Sequence, residues 1–188
     1  YQHSAKHPVY NLREYLLQLG VQENRKELPY MDIKLDAEEI QSGKKNLFSI
    51  VQNEKPVICL FTNATGDKCY SEEWWHDFYN SLKQTFPDYH IVELLPVENI
   101  SKIGFKAPTF YSKDVREMGG FIANCAVFIA ADNGVMHLAS ASKTPTFGLF
   151  SVTDPKMYAP YNANSFAIDT NLCTASECLE AIKDKLNQ

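Results

Sequence analysis

The sequence predicts an α/β domain built on a mostly parallel sheet with helices on both faces. Three observations lead there. Residues 56–62 (PVICLFT) and 126–131 (AVFIAA) are short apolar runs with the length and composition of strands buried on both sides. Segments with helical spacing of apolar residues lie between such runs, so strand and helix alternate along most of the chain. The 188 residues, 45% of them hydrophobic, suffice for one cored domain and would crowd two.

Each element follows from its own signals. His7-Pro8 precedes an amphipathic stretch over 9–19, with Val9, Leu12, Tyr15, Leu16 and Leu19 on one side and Gly20 as a stop. Residues 21–35 read as irregular, with Pro29 and the alternating Met31, Ile33 and Leu35. Asp36 caps a helix running to about residue 51, through Gly43. The strand 56–62 then opens a regular pattern. Residues 62–70 form a polar loop around Gly66, and Ser71-Glu72-Glu73 starts a helix to about residue 86. Trp74, Trp75, Phe78 and Leu82 make its apolar side, and Pro87-Asp88 end it. A strand at 89–95 precedes a longer connection, 96–109. A helix over 114–124 is weakened by Gly119-Gly120. A strand at 126–131, a helix at 134–142 and a strand at 144–150 follow. After the loop 151–164 come a last strand, 165–169, and a closing helix, 176–186. Parallel sheets of this kind bind ligands beyond the carboxyl ends of their strands.

Composition excludes several function classes. The net charge of −5 argues against broad nucleic-acid binding, which needs a basic footprint. No stretch approaches the roughly 18 to 20 apolar residues that span a bilayer. The beginning of the chain lacks a basic segment followed by an apolar core, so no signal peptide is expected; it also lacks an initial Met, which is expected of either a fragment or a trimmed chain. The five cysteines are odd in number and show no CxxC spacing, which predicts reduced thiols in a cytoplasmic protein, with Cys59 and Cys125 in the core. His3, His7, His76 and His90 have no partner at metal-ligand spacing, so no metal site is expected, and no GxSxG elbow is present.

Three loops carry the chemistry. Asp132-Asn133-Gly134-Val135-Met136-His137 follows a buried strand and opens a helix. Gly134 lets a ligand approach the backbone, and the free N–H groups of the first turn suit a phosphate. His137 adds a side-chain donor in that turn, while Asp132 would repel phosphate and is expected to cap the helix or bond a hydroxyl. Taken alone, the segment reads more readily as an ordinary helix start, with Asp132 and Asn133 as caps and His137 exposed. The second loop, Thr62-Asn63-Ala64-Thr65-Gly66-Asp67-Lys68, opens on the same sheet edge and offers hydroxyls, a flexible glycine and one cation. It lacks the GxxxxGK[ST] order, so ATP hydrolysis is a poor fit. The third, Ser151-Val152-Thr153-Asp154-Pro155, brings further hydroxyls. Glu98, after the strand 89–95, is a candidate acceptor for ribose or base.

Together these segments resemble glycosyltransferase family 9, the lipopolysaccharide heptosyltransferases. The likeness covers about residues 56–160 and rests on the Lys68 loop, the SEEWW helix start and FIAADNGVMHLASASKTPTFGLFSVTDP. Asp132, Gly134, His137 and Thr153-Asp154-Pro155 match the family signature. The resemblance implies a Rossmann-like domain, the C-terminal half of a GT-B fold, over residues 51–188, with residues 1–50 as interdomain connection and supporting helices. It implies a nucleotide-sugar donor, commonly ADP-heptose, held by Thr62, Asn63, Thr65, Lys68, Glu98, Asp132, Asn133, Gly134 and His137. Lys68 and His137 would stabilise the departing diphosphate in an inverting transfer, in place of a divalent metal and with no cofactor. The acceptor, a glycan or lipid-linked sugar, and the general base would belong to an N-terminal acceptor domain outside these residues, leaving the chain inactive by itself. The location implied is cytoplasmic, with peripheral contact to the inner membrane. One departure stands out: members often carry paired hydroxyl residues four and five positions before the lysine, where this chain has Asn63 and Ala64. That departure fits a second reading, a nucleotide-sugar-binding module without turnover.

Overall fold

A computed structural model describes residues 7–22 and 28–186; His3 lies outside them. Six strands form one sheet: β1 (Val57–Phe61), β2 (His90–Leu94), β3 (Thr109–Phe110), β4 (Val127–Ala131), β5 (Thr146–Phe150) and β6 (Phe166–Asp169). Every pairing is parallel and the order is β3-β2-β1-β4-β5-β6. The helices are α1 (Val9–Gln18), α2 (Ala37–Val51), α3 (Glu72–Thr85), α4 (Val115–Ile122), α5 (Gly134–Ala141), α6 (Pro155–Tyr158) and α7 (Ala175–Leu186). The fold is thus Rossmann-like, with helices on both faces of a wholly parallel sheet.

Strand alternation sends side chains to two separate cores. On one face Ile58, Leu60, Ile129 and Leu149 meet α3 and α7 through Trp75, Phe78, Leu82, Leu179 and Ile182. On the other, Cys59, Phe61, Phe128 and Ala130 meet α2, α4 and α5 through Leu47, Phe121, Ile122 and Met136. Of the aromatic pair at 74–75, Trp75 is fully buried, and half-buried Trp74 stacks between Tyr70 and Phe78 at 4.2 and 5.0 Å.

Asp36 caps α2 in a reciprocal box: its side chain accepts from Glu39 N, and the Glu39 carboxylate accepts from Asp36 N, both at 2.8 Å. The glycines of α2 and α4 are contacts between helices. A Cβ on Gly43 would lie 2.0 Å from the Gly120 carbonyl oxygen, and one on Gly120 would lie 2.5 Å from the Glu39 carbonyl oxygen. Asn124 fastens the crossing by donating to the carbonyls of Ile40 (2.9 Å) and Gly120 (2.7 Å). Gly120 therefore lets α2 lie against α4, while Gly119 faces Ser142, Leu35 and Leu138. The Arg116 guanidinium reaches back to the Ile33 and Lys34 carbonyls and the Glu39 carboxylate, fixing the approach to α2. The boundary expected at residue 50 falls within the last turn of α2, whose Leu47 is buried in the core.

The cysteine reading needs one correction. Cys59 and Cys125 are buried free thiols as expected, but Cys173 and Cys178 form a disulfide with Cα atoms 5.8 Å apart. Cys173 lies in the bend before α7 and Cys178 in its first turn, so the chain's entry into the helix brings the two together; an odd count with no CxxC spacing concealed this. Among the described residues, no helix is long and apolar enough to cross a membrane.

Candidate functional site

The strand order reverses between β1 and β4, so the connections leaving their carboxyl ends run to opposite sides and open a crevice. The loop after β1 and the Asp132-Asn133 turn after β4 face each other there. Asn133 caps α5: its side-chain oxygen accepts from Met136 N at 2.9 Å. Its amide nitrogen donates to the carbonyls of Asn63 (3.0 Å) and Ala131 (2.8 Å), tying the two loops together. Gly134 is the first helical residue, and a Cβ built there would meet nothing within 4 Å. Space therefore lies open beside the Gly134 end of α5, where Asn133 already takes the Met136 N–H.

Lys68 ends a 3₁₀ turn, Gly66–Lys68, in which Gly66 takes φ +60°. Its ammonium lies 3.3 Å from Asp132 Oδ2, which also accepts the Thr153 hydroxyl at 2.7 Å. Asp132 thus bonds a hydroxyl, one of the two roles expected of it, and leaves capping to Asn133. It is 4% exposed, whereas the Lys68 side chain retains 27%. Tyr70 closes this loop by exchanging a hydrogen bond with the Thr170 hydroxyl at 2.7 Å.

His137 stands one turn into α5, half-buried. Burial lowers its pKa; Asp132 opposes the shift, and His7 and Lys68 add to it. His7, which the sequence did not connect with the site, sits 6.4 Å from His137 (ring centroids) and stacks on Tyr161 at 5.4 Å. Its Nε2–H donates to the Ala159 carbonyl at 3.0 Å and its Nδ1 accepts from Val9 N at 3.3 Å, which fixes a neutral ring. Burial lowers the pKa of His7 as well.

Beside this group lies a cleft of about 410 Å³. Asn63, Thr65, Glu98, Asn133 and Gly134 line it, so five of the residues chosen from sequence converge there. Lys68, Asp132 and His137 form an adjoining cluster, joined to the cleft through Asn133. Thr62 does not reach it: the residue is 2% exposed, and its hydroxyl donates to buried Glu93 at 2.7 Å. Sequence reasoning missed the far wall, made by Ser112, Lys113 and Met118, with Val135 and Leu138 as apolar floor. The missed signal was Ser112-Lys113-Asp114, a helix start directly after β3, where Asp114 caps α4. Glu93 was missed too. Burial raises its pKa, and the Ser101 and Thr62 hydroxyls partly reverse the shift. Among the described residues no group of three His, Cys, Asp or Glu side chains is arranged to hold a metal ion.

Comparison with known proteins bears on this geometry. The sequence profile of glycosyltransferase family 9 (heptosyltransferase) matches residues 113–185. No curated protein matches the sequence. Among solved structures, a glycosyl transferase family 9 protein from Veillonella parvula superposes with TM-score 0.82 at 14% identity, covering 99% of this chain and 62% of that one. ADP-heptose lps heptosyltransferase II from E. coli gives 0.68 at 17% identity, with 87% and 56% covered. The E. coli heptosyltransferase WaaC with ADP gives 0.67 at 17% identity, with 97% and 58% covered. The chain spans 56 to 62% of the length of these relatives. Residues 113–185, with Asp132, Gly134 and His137 among them, thus carry the pattern of glycosyltransferase family 9 on the fold of solved heptosyltransferases.

Proposed function

We propose that this edge binds a nucleoside-diphosphate sugar, and that the chain is the donor-binding part of an inverting glycosyltransferase. By resemblance the sugar is heptose and the acceptor lipopolysaccharide or a related glycan. One observation carries the reading: the Lys68 ammonium and the open first turn of α5 meet at the same sheet edge, linked through Asp132 and Asn133. The diphosphate takes the amides of that turn and the Lys68 cation, and Gly134 leaves room for it. The nucleoside enters the adjoining cleft, with Glu98 toward ribose hydroxyls and Val135 and Leu138 against the base. That two similar structures are heptosyltransferases, one of them with ADP, supports the assignment.

In the reaction an acceptor hydroxyl attacks the anomeric carbon while the bond to the diphosphate oxygen breaks. The acceptor proton passes to a base outside this chain. The leaving diphosphate gains charge, and Lys68, His137 and the α5 amides are placed to stabilise it, each well-aimed donor contributing about 3 to 4 kcal/mol. Calorimetry with ADP tests the site. Lys68→Ala is expected to weaken binding by about tenfold or more; an unchanged Kd removes Lys68 from it. Ala64 lines the cleft with a methyl where related enzymes often present a hydroxyl, which favours a binding module without turnover. Transfer of radiolabelled sugar by the full-length protein eliminates that alternative.

A further inference from the structure

Glu93 of β2 is fully buried, and its two carboxylate oxygens serve two different loops. Oε1 accepts the Thr62 hydroxyl at 2.7 Å, and Oε2 accepts the Ser101 hydroxyl at 2.6 Å. Backbone donors hold both hydroxyls from behind. Thr62 Oγ1 accepts from Lys102 N at 3.2 Å, and Ser101 Oγ accepts from Ile103 N at 3.2 Å and Phe105 N at 2.9 Å. Both hydroxyl protons are therefore committed to the carboxylate. Burying a carboxylate carries a desolvation cost that an aliphatic residue would avoid, and its strand neighbours Val92 and Leu94 are aliphatic.

The position of the two hydroxyls shows what this carboxylate does. Thr62 leads directly into the loop that ends at Lys68, the cation assigned to the diphosphate. Ser101 lies three residues after Glu98, in the same loop as this acceptor assigned to the ribose. We infer that Glu93 is a positioning residue that sets the separation of these two loops, an inference resting on the donor-site reading above. It touches no ligand; it acts through Thr62 and Ser101.

The test compares a ligand that spans both loops with one that meets a single loop. ADP reaches from the Lys68 side to Glu98, whereas pyrophosphate engages the Lys68 side alone. Glu93→Gln keeps the shape, but its amide NH₂ cannot accept a hydroxyl proton, so one arm is cut. ADP affinity is expected to fall about tenfold while pyrophosphate affinity stays within about twofold. Ser101→Ala cuts only the arm to the Glu98 loop; it should reproduce the ADP-selective loss, and it carries the test if Glu93→Gln does not fold. Unchanged ADP affinity, or equal weakening of both ligands, overturns the inference. If the wild-type chain binds neither ligand, the donor-site reading fails, and amide exchange then decides the strut separately. Faster exchange over residues 97–105 in both variants supports it; wild-type exchange there refutes it.

Discussion

At the scale of single residues, Gly134 and His137 make separable predictions. A methyl at Gly134 would project into open space, and Ala is favoured over Gly by about 1 kcal/mol within a helix. Gly134→Ala should therefore melt at or above the wild-type temperature yet bind ADP at least about tenfold more weakly, because the methyl occupies the ligand's place. Unimpaired binding would put the diphosphate elsewhere. His137 has a folded pKa below its ordinary value of 6.5, mainly through burial. The unfolded chain then takes up more protons on acidification. The stability this gives is complete above 6.5 and is lost as pH falls through the folded value, at up to about 1.4 kcal/mol per pH unit. Urea denaturation at about pH 7.5 and about pH 5.5 should show a smaller loss for His137→Gln than for wild type. Identical losses would mean that this ring does not titrate differently on folding.

At the scale of elements, the α2–α4 crossing is the most exacting contact. Gly43→Ala should cost roughly 2 to 3 kcal/mol, since the obstructing atom is a backbone carbonyl that cannot swing aside. Asp36→Ala should cost about 1 kcal/mol by removing the cap of α2. Equilibrium denaturation measures both. Most elements were legible because their signals are local: apolar runs for β1 and β4, caps at Asp36 and Ser71, breakers at Gly20 and Pro87. β3 was not, because two residues between Pro108 and a polar helix start carry no periodicity. The four residues of α6 escaped for the same reason. Gly120 of α4 was read as a weak point because propensity sees one helix, whereas its place against Glu39 is defined by α2.

At the scale of the whole molecule, the sheet order sets both stability and site. The central strands β1 and β4 are buried throughout, whereas β6 is half-exposed and β3 has two residues. Amide exchange should be slowest in β1 and β4 and faster in β3 and β6; protection of β6 equal to that of β4 would contradict this. The site was legible where a strand, a turn and a helix follow directly in sequence, as from Val127 to His137. It was illegible where partners come from afar, as with Thr62 and Glu93, His7 and His137, or Ser112 on the far wall. One such distant partnership, Lys68 with Asp132, has a consequence for selectivity. A cation that already has its own counter-ion makes a poor trap for passing inorganic anions, which must compete with a tethered carboxylate for it. On the donor-site reading, a molecule that also fills the neighbouring hollow has additional attraction with which to draw the ammonium away, so pyrophosphate should bind this chain measurably but more weakly than ADP.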